Sequence, residues 1–343
     1  MNEDRALFIF RLPHENKIHA LEGNMDTNLT PLDISKGLQF VISAFDHSDK
    51  VFAASDVIEI DFDKLKKEKT ELFFSSNKYH CDSFESYTKK VNAATQILDE
   101  ADETNYLNNF SKVVLARCDQ KALTAQFNVY DFFEKVCDTY PSAFCYLVSS
   151  KSTGTWLGAT PELLLQSEKQ ILQTVALAST LPADDLNKWG DKEIIEQHLV
   201  ELYIENAIKN AGIPAYEKSE RQNLLSGKLK HLITYYKISQ NTADLFIPLL
   251  KELNPTSAVC GINKRRAKDF IDQHENLLRN FYSGYLGLIN WKETKRLYVN
   301  LRCMELQAGK AYLFAGAGIV KNSIAENEWH ETERKLLVLG SLF

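Results

Sequence analysis

The stretch that most constrains this chain lies near its end, at Ala311–Lys335: AYLFAGAGIVKNSIAENEWHETERK. Tyr312–Ala315 is an apolar run bounded by glycine, which predicts a buried strand. Gly316-Ala317-Gly318 predicts a tight turn and a close approach of the backbone to a neighbour, because glycine carries no Cβ. Ile319–Val320 resumes the apolar path. Ser323 followed three residues later by Glu326 matches a capping box, so a helix should begin near Ile324. Glu328, Glu331 and Lys335 then project from one helical face. Two readings fit that face. One is a solvated surface with an i,i+4 Glu–Lys pair. The other is an acidic metal site beside a glycine turn that can receive an anion at a helix N-terminus.

The 343 residues allow one large domain or two ordinary ones, and 44% hydrophobic with 11% aromatic residues is ample for a sizeable core. A net charge of −6 argues against a nucleic-acid partner. The six cysteines (Cys81, Cys118, Cys137, Cys145, Cys260, Cys303) are scattered without a C-x-x-C, which fits a reducing compartment and no zinc knuckle. The opening MNEDRALFIF has acidic residues and no long apolar region, unlike a signal peptide. No run approaches the ~20 apolar residues of a membrane span. These features lead us to expect a soluble, cytoplasmic protein with neither membrane nor nucleic acid as partner.

Along the chain, Ala6–Phe10, Leu38–Phe45 and Val51–Ile60 read as strands, and Asp61–Lys69 as a charged, exposed stretch. His80–Leu107, Asn128–Tyr140, Asp191–Lys209, Ala243–Leu253 and Lys264–Asn280 read as helices. Phe110–Arg117, Ala143–Val148, Ile171–Thr180, Leu229–Tyr236, Phe281–Leu288 and Leu297–Met304 read as strands. Strands and helices in irregular order, with glycine-broken strands, point to an α+β fold with large antiparallel sheets. There is no P-loop, no G-x-G-x-x-G after a first strand and no internal repeat.

Several residues carry two readings each. Lys112, at a strand end, is either solvated or a general base in a dry pocket, where desolvation lowers a lysine pKa. Glu162, between a proline and a leucine run, is either wetted at a strand mouth or a carboxyl raised by apolar walls and suited to acid catalysis. Arg302 is either a surface ion pair or a fork for a carboxylate. His231 is either a satisfied core histidine or a ligand. On the 191–209 helix, Glu196 borders the apolar stripe, while Glu201 and Glu205 are expected to face solvent.

The motifs KVVLAR (112–117), GATPELLL (158–165), ALAST (176–180), EQHLV (196–200), HLIT (231–234), NPTSAVCG (254–261), FYSGYLG (281–287), GAGIV (316–320) and EWHETERK (328–335) occur in that order. The set resembles the chorismate-utilising enzymes, most closely the isochorismate synthases, from about Phe110 to Phe343. Residues 1–100 match only in general character. The resemblance implies a single domain of two large, mainly antiparallel sheets around a central helical layer, acting on chorismate with Mg²⁺ in menaquinone or siderophore biosynthesis. It implies that Glu196 and Glu331 bind the metal with Glu328 in or near its shell. Lys112 would activate water for attack at ring C2, and Glu162 would protonate the departing C4 hydroxyl. Arg302 and Tyr282 would hold the enolpyruvyl carboxylate, and Gly316 and Lys335 would support the ring carboxylate. Ala178, Thr180 and His231 fall in motifs that would line the substrate.

Ammonia-using relatives carry glutamine at the position of Lys112, and aminodeoxychorismate synthases a nucleophilic lysine at that of Ala178; both residues here favour water. No glutaminase partner is expected. Salicylate synthases, which add pyruvate elimination, share the lysine and stand as the alternative, together with a weakly active chorismate-binding protein. Departures from the family pattern motivate the latter. Ser179 stands in place of the usual glycine, Asn254, Ser257, Cys260 and Asn263 occupy changed positions, and FYSGYLG lacks the usual proline.

Overall fold

The computed structural model describes residues 4–29, 37–45, 51–68, 70–100, 108–184, 189–226, 229–239 and 245–343. Strands β1 (Arg5–Arg11), β2 (His19–Leu29), β3 (Gln39–Ser43) and β4 (Val51–Ile60) come first, then helices α1 (Phe62–Glu68) and α2 (Phe84–Ile97). Next are β5 (Lys112–Ala122), α3 (Val129–Thr139), β6 (Phe144–Ser150), β7 (Gly154–Thr160), β8 (Leu163–Glu168), β9 (Ile171–Pro182) and α4 (Asp191–Asn210). They are followed by β10 (Glu217–Lys218), β11 (Gln222–Ser226), β12 (Leu229–Ser239), α5 (Phe246–Leu253), β13 (Gly261–Ile262) and α6 (Lys264–His274). The last elements are β14 (Tyr285–Trp291), β15 (Thr294–Val299), β16 (Cys303–Gln307), β17 (Lys310–Ile319) and α7 (Ala325–Gly340).

All described pairings are antiparallel. One sheet runs β13-β5-β17-β16-β7-β6-β1-β2. The other runs β4-β3-β14-β15-β8-β9-β12, with β10 and β11 on β12. Pairing of β2 with β4 joins them. The two-residue period of a strand decides what each face meets. Phe8 and Phe10 of β1, with Phe144, Tyr146 and Val148 of β6, join Phe40 and Ile42 of β3 and Leu286 and Leu288 of β14 in one core between the sheets. Phe144 stacks on Tyr298 of β15 with ring centroids 4.3 Å apart. The alternate residues Leu7, Ile9, Cys145 and Leu147 face outward, against α1, α3 and α7. On the second sheet α4 and α5 cover the outer face, and α2 and α6 close the end near β5.

The α+β class and the antiparallel sheets hold. The layering differs from expectation, because the core between the sheets is built from strand and loop side chains and the helices lie outside it. Local differences have physical causes. Within the 61–69 stretch, Phe62–Glu68 form helix α1, with Phe62 and Leu65 buried, and residue 69 lies outside the described set. The 80–107 helix is shorter: Ser83 caps it, accepting from Ser86 N at 3.2 Å, and residues 101–107 lie outside the described set. LYVNLRCM is not one strand, since Asn300–Arg302 breaks it and Arg302 adopts φ 47°. Asn300 sustains the break by accepting from Tyr146 Oη at 2.6 Å and donating to Phe281 O at 2.9 Å. Glu201 is buried, not solvated. Arg221, Lys218 and Thr234 all donate to its carboxylate, holding it at about pKa 2 against the opposing cost of burial.

Helix α6 stops at His274, short of the expected Asn280, because the next residues turn inward. Glu275 and Arg279 form a fully buried pair. Arg279 donates to Val114 O and Val259 O, and Glu275 accepts from Ala116 N, so the pair extends the edge of β5 in place of a strand. Removing one charge strands the other. Glu275→Ala should cost about 3–5 kcal/mol, read as a lowered denaturant midpoint; a change under 1 kcal/mol would exclude this role.

Candidate active site

Lys112 opens β5 between β13 and β17 and is 6% exposed. Its Nζ lies 3.3 Å from Glu196 Oε1 on α4. Gly316-Ala317-Gly318 makes no turn; it continues β17, pairing Gly316 with Ala116 and Gly318 with Val114. The glycines supply space. A Cβ at Gly318 would sit 2.7 Å from Lys112 Cε, and one at Gly316 would sit 2.9 Å from Tyr282 Oη. Gly318→Ala should therefore displace the lysine and lower kcat at least about tenfold, equivalent to about 1.4 kcal/mol, with the melting midpoint moved by only a few degrees. An unchanged kcat would show that the lysine has room elsewhere.

Glu196 is held from its other side as well. Ser179 is the extra residue of a bulge in β9: Thr180 pairs with His231 and Ala178 with Leu232, leaving Ser179 between them at φ 56°. That backbone state favours glycine. Here the serine hydroxyl donates to Glu193 O at 2.8 Å and also lies 3.2 Å from Glu196 Oε2. The backbone of Thr180 is in register in β9, while its side chain lies outside the described set.

Glu162 follows β7 and is 8% exposed. Burial pushes its carboxyl up to about 7, although Lys112, Arg302 and Lys335, in that order, pull it down. Four groups from four parts of the chain therefore share one field. Burial also lowers the Arg302 guanidinium. His231 Nδ1 lies 3.3 Å from Ser179 O, and burial followed by the charge of Arg302 lowers its imidazole to about 4, so it is neutral near pH 7. Tyr282 stacks on Phe314 at 5.6 Å, and burial raises its phenol. Lys335 Nζ donates to Gly316 O at 2.8 Å and to Glu331 Oε1 at 2.7 Å. Burial pushes Glu331 up, but Lys335 and then Lys112 outweigh it, and the net shift is downward.

The carboxylates supply hard oxygen donors of the kind Mg²⁺ takes. Glu196 and Glu331 both interact with Lys112. Glu328 accepts from Ser323 Oγ at 2.7 Å. Ser323 thus serves Glu328 and Val320 N instead of the expected capping box, and α7 begins at Ala325 without a side-chain cap. Among the described residues no three His, Cys, Asp or Glu side chains converge on one point. The donor chemistry fits Mg²⁺, which keeps several waters and needs only one or two protein carboxylates.

Arg117 is buried mid-strand, donating to Thr332 Oγ1 at 2.6 Å with its guanidinium 3.6 Å from the Trp329 ring centroid. It fixes α7 against β5, and so fixes Glu331 and Lys335 against Lys112.

The family model described as "Chorismate binding enzyme" matches residues 37–342. The chain belongs to the chorismate-binding enzymes. Isochorismate synthase MenF of Escherichia coli (strain K12) is 30% identical over 258 residues, 72% of this chain and 59% of that protein. Isochorismate synthase EntC of the same strain is 26% identical over 242 residues, 68% of this chain and 62% of that protein. The matched part is thus less than two thirds of either relative. Among solved structures, the menaquinone-specific isochorismate synthase MenF from Escherichia coli superposes with a TM-score of 0.77 at 21% identity, covering 98% of this chain and 88% of that one. Anthranilate synthase component I from Streptococcus pneumoniae gives 0.69 at 18% identity, covering 99% and 92%. These structural likenesses establish the shared fold.

In this chorismate-binding enzyme, contacts or charges link Lys112, Glu162, Glu196, His231, Arg302, Gly316, Glu331 and Lys335 into one site. Tyr282 joins through Gly316, and Ala178 lies beside the bulge. Ser179, Gly318 and Ser323 are neighbours that sequence reasoning did not assign. The positive-φ preference behind the family's glycine was the available signal for Ser179. No described helix is long and apolar enough to cross a membrane, and all six cysteines are free.

Proposed function

We propose that this chain is a cytoplasmic, Mg²⁺-dependent isochorismate synthase, an isomerase that adds water at C2 of chorismate and expels the C4 hydroxyl, for menaquinone or siderophore biosynthesis. The observation that carries the reading is Glu162: a carboxyl buried until its pKa is about 7, sharing its field with Lys112, Arg302 and Lys335. An acid with that pKa keeps its proton in about half of the molecules at neutral pH, when an ordinary carboxyl is almost wholly ionised.

Lys112, having first given its own proton to solvent, is neutral when it takes a proton from the attacking water as the water oxygen bonds to C2. Both ring double bonds shift by one position, from C1–C2 to C1–C6 and from C5–C6 to C4–C5, the C4–O bond breaks, and Glu162 gives its proton to the departing hydroxyl, which leaves as water. Arg302 and Tyr282 hold the enolpyruvyl carboxylate. Glu196 and Glu331, with Glu328 in or near the shell, would hold Mg²⁺, which would neutralise the ring carboxylate when bound. Lys335 keeps Glu331 ionised, and neutral His231 adds no charge beside the substrate. Lysine at position 112 and alanine at position 178 support water over ammonia as nucleophile, and relatives named isochorismate synthase support the same reading.

The test is to incubate the protein with chorismate and Mg²⁺, separate the products and add isochorismatase to identify isochorismate. Isochorismate that EDTA abolishes supports the proposal. Salicylate with pyruvate would reassign the product, and tight binding without turnover would make this a chorismate-binding protein.

A further inference from the structure

The loop after α5 carries two buried hydroxyls that the proposed mechanism does not use. Ser257 is 0% exposed, and neither its Oγ nor Thr256 Oγ1 has a hydrogen-bond partner. The loop is held by its own carbonyls. Tyr203 Oη donates to Pro255 O at 2.8 Å and Lys264 Nζ to Asn254 O at 3.0 Å. Thr256 and Ser257 line a pocket of about 10 Å³ together with Glu162, Thr174, Val200, Tyr203 and Leu253. That is about the room one water needs. Leaving a buried hydroxyl unpaired costs about 1–3 kcal/mol, and two orphans on one pocket provide the partners a buried water requires.

The third wall of the pocket is the proposed acid. Glu162 donates through its backbone N–H to Thr160 Oγ1, and its backbone carbonyl accepts from Val299 N. Among the described residues its carboxyl has no hydrogen-bond partner, and only burial and three cations act on it. Those cations (Lys112 on β5, Arg302 between β15 and β16, Lys335 on α7) do not line the pocket. Glu162 thus borders both this pocket and the field of those cations.

We infer that one ordered water occupies this pocket, bound by Ser257 Oγ and Thr256 Oγ1, and that Ser257 is a positioning residue acting through that water on the Glu162 carboxyl. Glu162 alternates between acid and carboxylate in each turnover. The water accepts from the acid and donates to the carboxylate, so it orients the group in both states. Ser257 stands where the family pattern that this chain resembles has proline, which offers no hydroxyl, so the device belongs to this chain's own sequence.

The catalytic part of this inference rests on the proposed isochorismate synthesis; the water does not. A high-resolution crystal structure of the wild-type protein should show a water within hydrogen-bond distance of Ser257 Oγ and Glu162. A dry pocket overturns the inference whatever the enzyme does. With chorismate, Ser257→Ala should lower kcat about tenfold, the loss of one good hydrogen bond, with KM changed less than about twofold. It should also raise the pH at which kcat/KM declines, because the carboxylate loses a donor. Thr256→Val should act in the same direction and serves if Ser257→Ala folds poorly. If wild type turns over chorismate and both folded variants match it in kcat and pH profile, the positioning role is wrong and the functional reading stands. If wild type does not turn over chorismate, the functional reading fails and the crystallographic water alone decides the binding site.

Discussion

Glu162→Gln should lower kcat by about 10²–10⁴-fold while making the protein more stable at alkaline pH. The loss follows from the proposed role of Glu162 as acid, since glutamine has no proton of comparable acidity and general acid catalysis contributes about 10²–10⁴-fold. The gain follows from linkage. The carboxyl titrates near 4.5 in the unfolded chain and at about 7 in the folded protein. Between those values the folded state binds the extra proton, so stability falls as pH rises. Below pH ~4.5 the group is neutral in both states and costs nothing; above pH ~7 the full penalty of about 3 kcal/mol applies. Glutamine escapes that penalty. The stability difference between variant and wild type should therefore grow by up to about 3 kcal/mol from pH ~5 to ~8, measured by denaturant unfolding. An amide that packs badly shifts the variant by a constant and leaves this slope intact. A flat difference would show that Glu162 is not buried in its neutral form. The same value predicts that wild-type kcat/KM declines above about pH 7 as the acid is lost.

Lys112→Ala should leave a folded protein and remove the proposed base, with kcat down about 10²–10⁴-fold. The lysine is 6% exposed and, among the described residues, its ion pair is with Glu196, which retains Ser179 as a neighbour. Residual activity carries a second signature. Lys112 is the largest of the three cationic influences pulling Glu162 down, so its removal raises the Glu162 pKa and moves the alkaline decline of kcat/KM to higher pH. A fully active variant would end the assignment of Lys112 as base. An inactive variant with an unmoved alkaline limb would separate Lys112 from the field of Glu162.

The legible parts were those where local chemistry and tertiary role agree. The apolar runs of β1, β5 and β6 announced strands because both of their faces are buried. Strand β2, HALEGNMDTNL, did not announce itself: it is short of apolar residues and is held by its ladders to β1 and β4. Glycines 316 and 318 were visible as constraints, but sequence could not distinguish a turn from a strand that needs space for Tyr282 and Lys112. Arg302 looked like a strand end because the Asn300 side chain that breaks the strand finds its partners, Tyr146 and Phe281, far away in sequence. Glu201 read as solvated because Lys218 of β10 and Arg221 just before β11, which neutralise it, lie beyond the end of its helix. Site residues were legible as motifs. Their coupling was not, since the shared field of Glu162 with Lys112, Arg302 and Lys335 exists only once the sheets have closed.

The most direct test of the central claim is the origin of the new oxygen. The protein should be incubated with chorismate and Mg²⁺ in water enriched in the heavy oxygen isotope, and the isochorismate isolated and weighed by mass spectrometry. Water addition at C2 with loss of the C4 hydroxyl predicts one heavy oxygen in every product molecule, and none in recovered chorismate at early times. Unlabelled isochorismate would mean that the hydroxyl migrates within the substrate, and would contradict the roles assigned to Lys112 and Glu162.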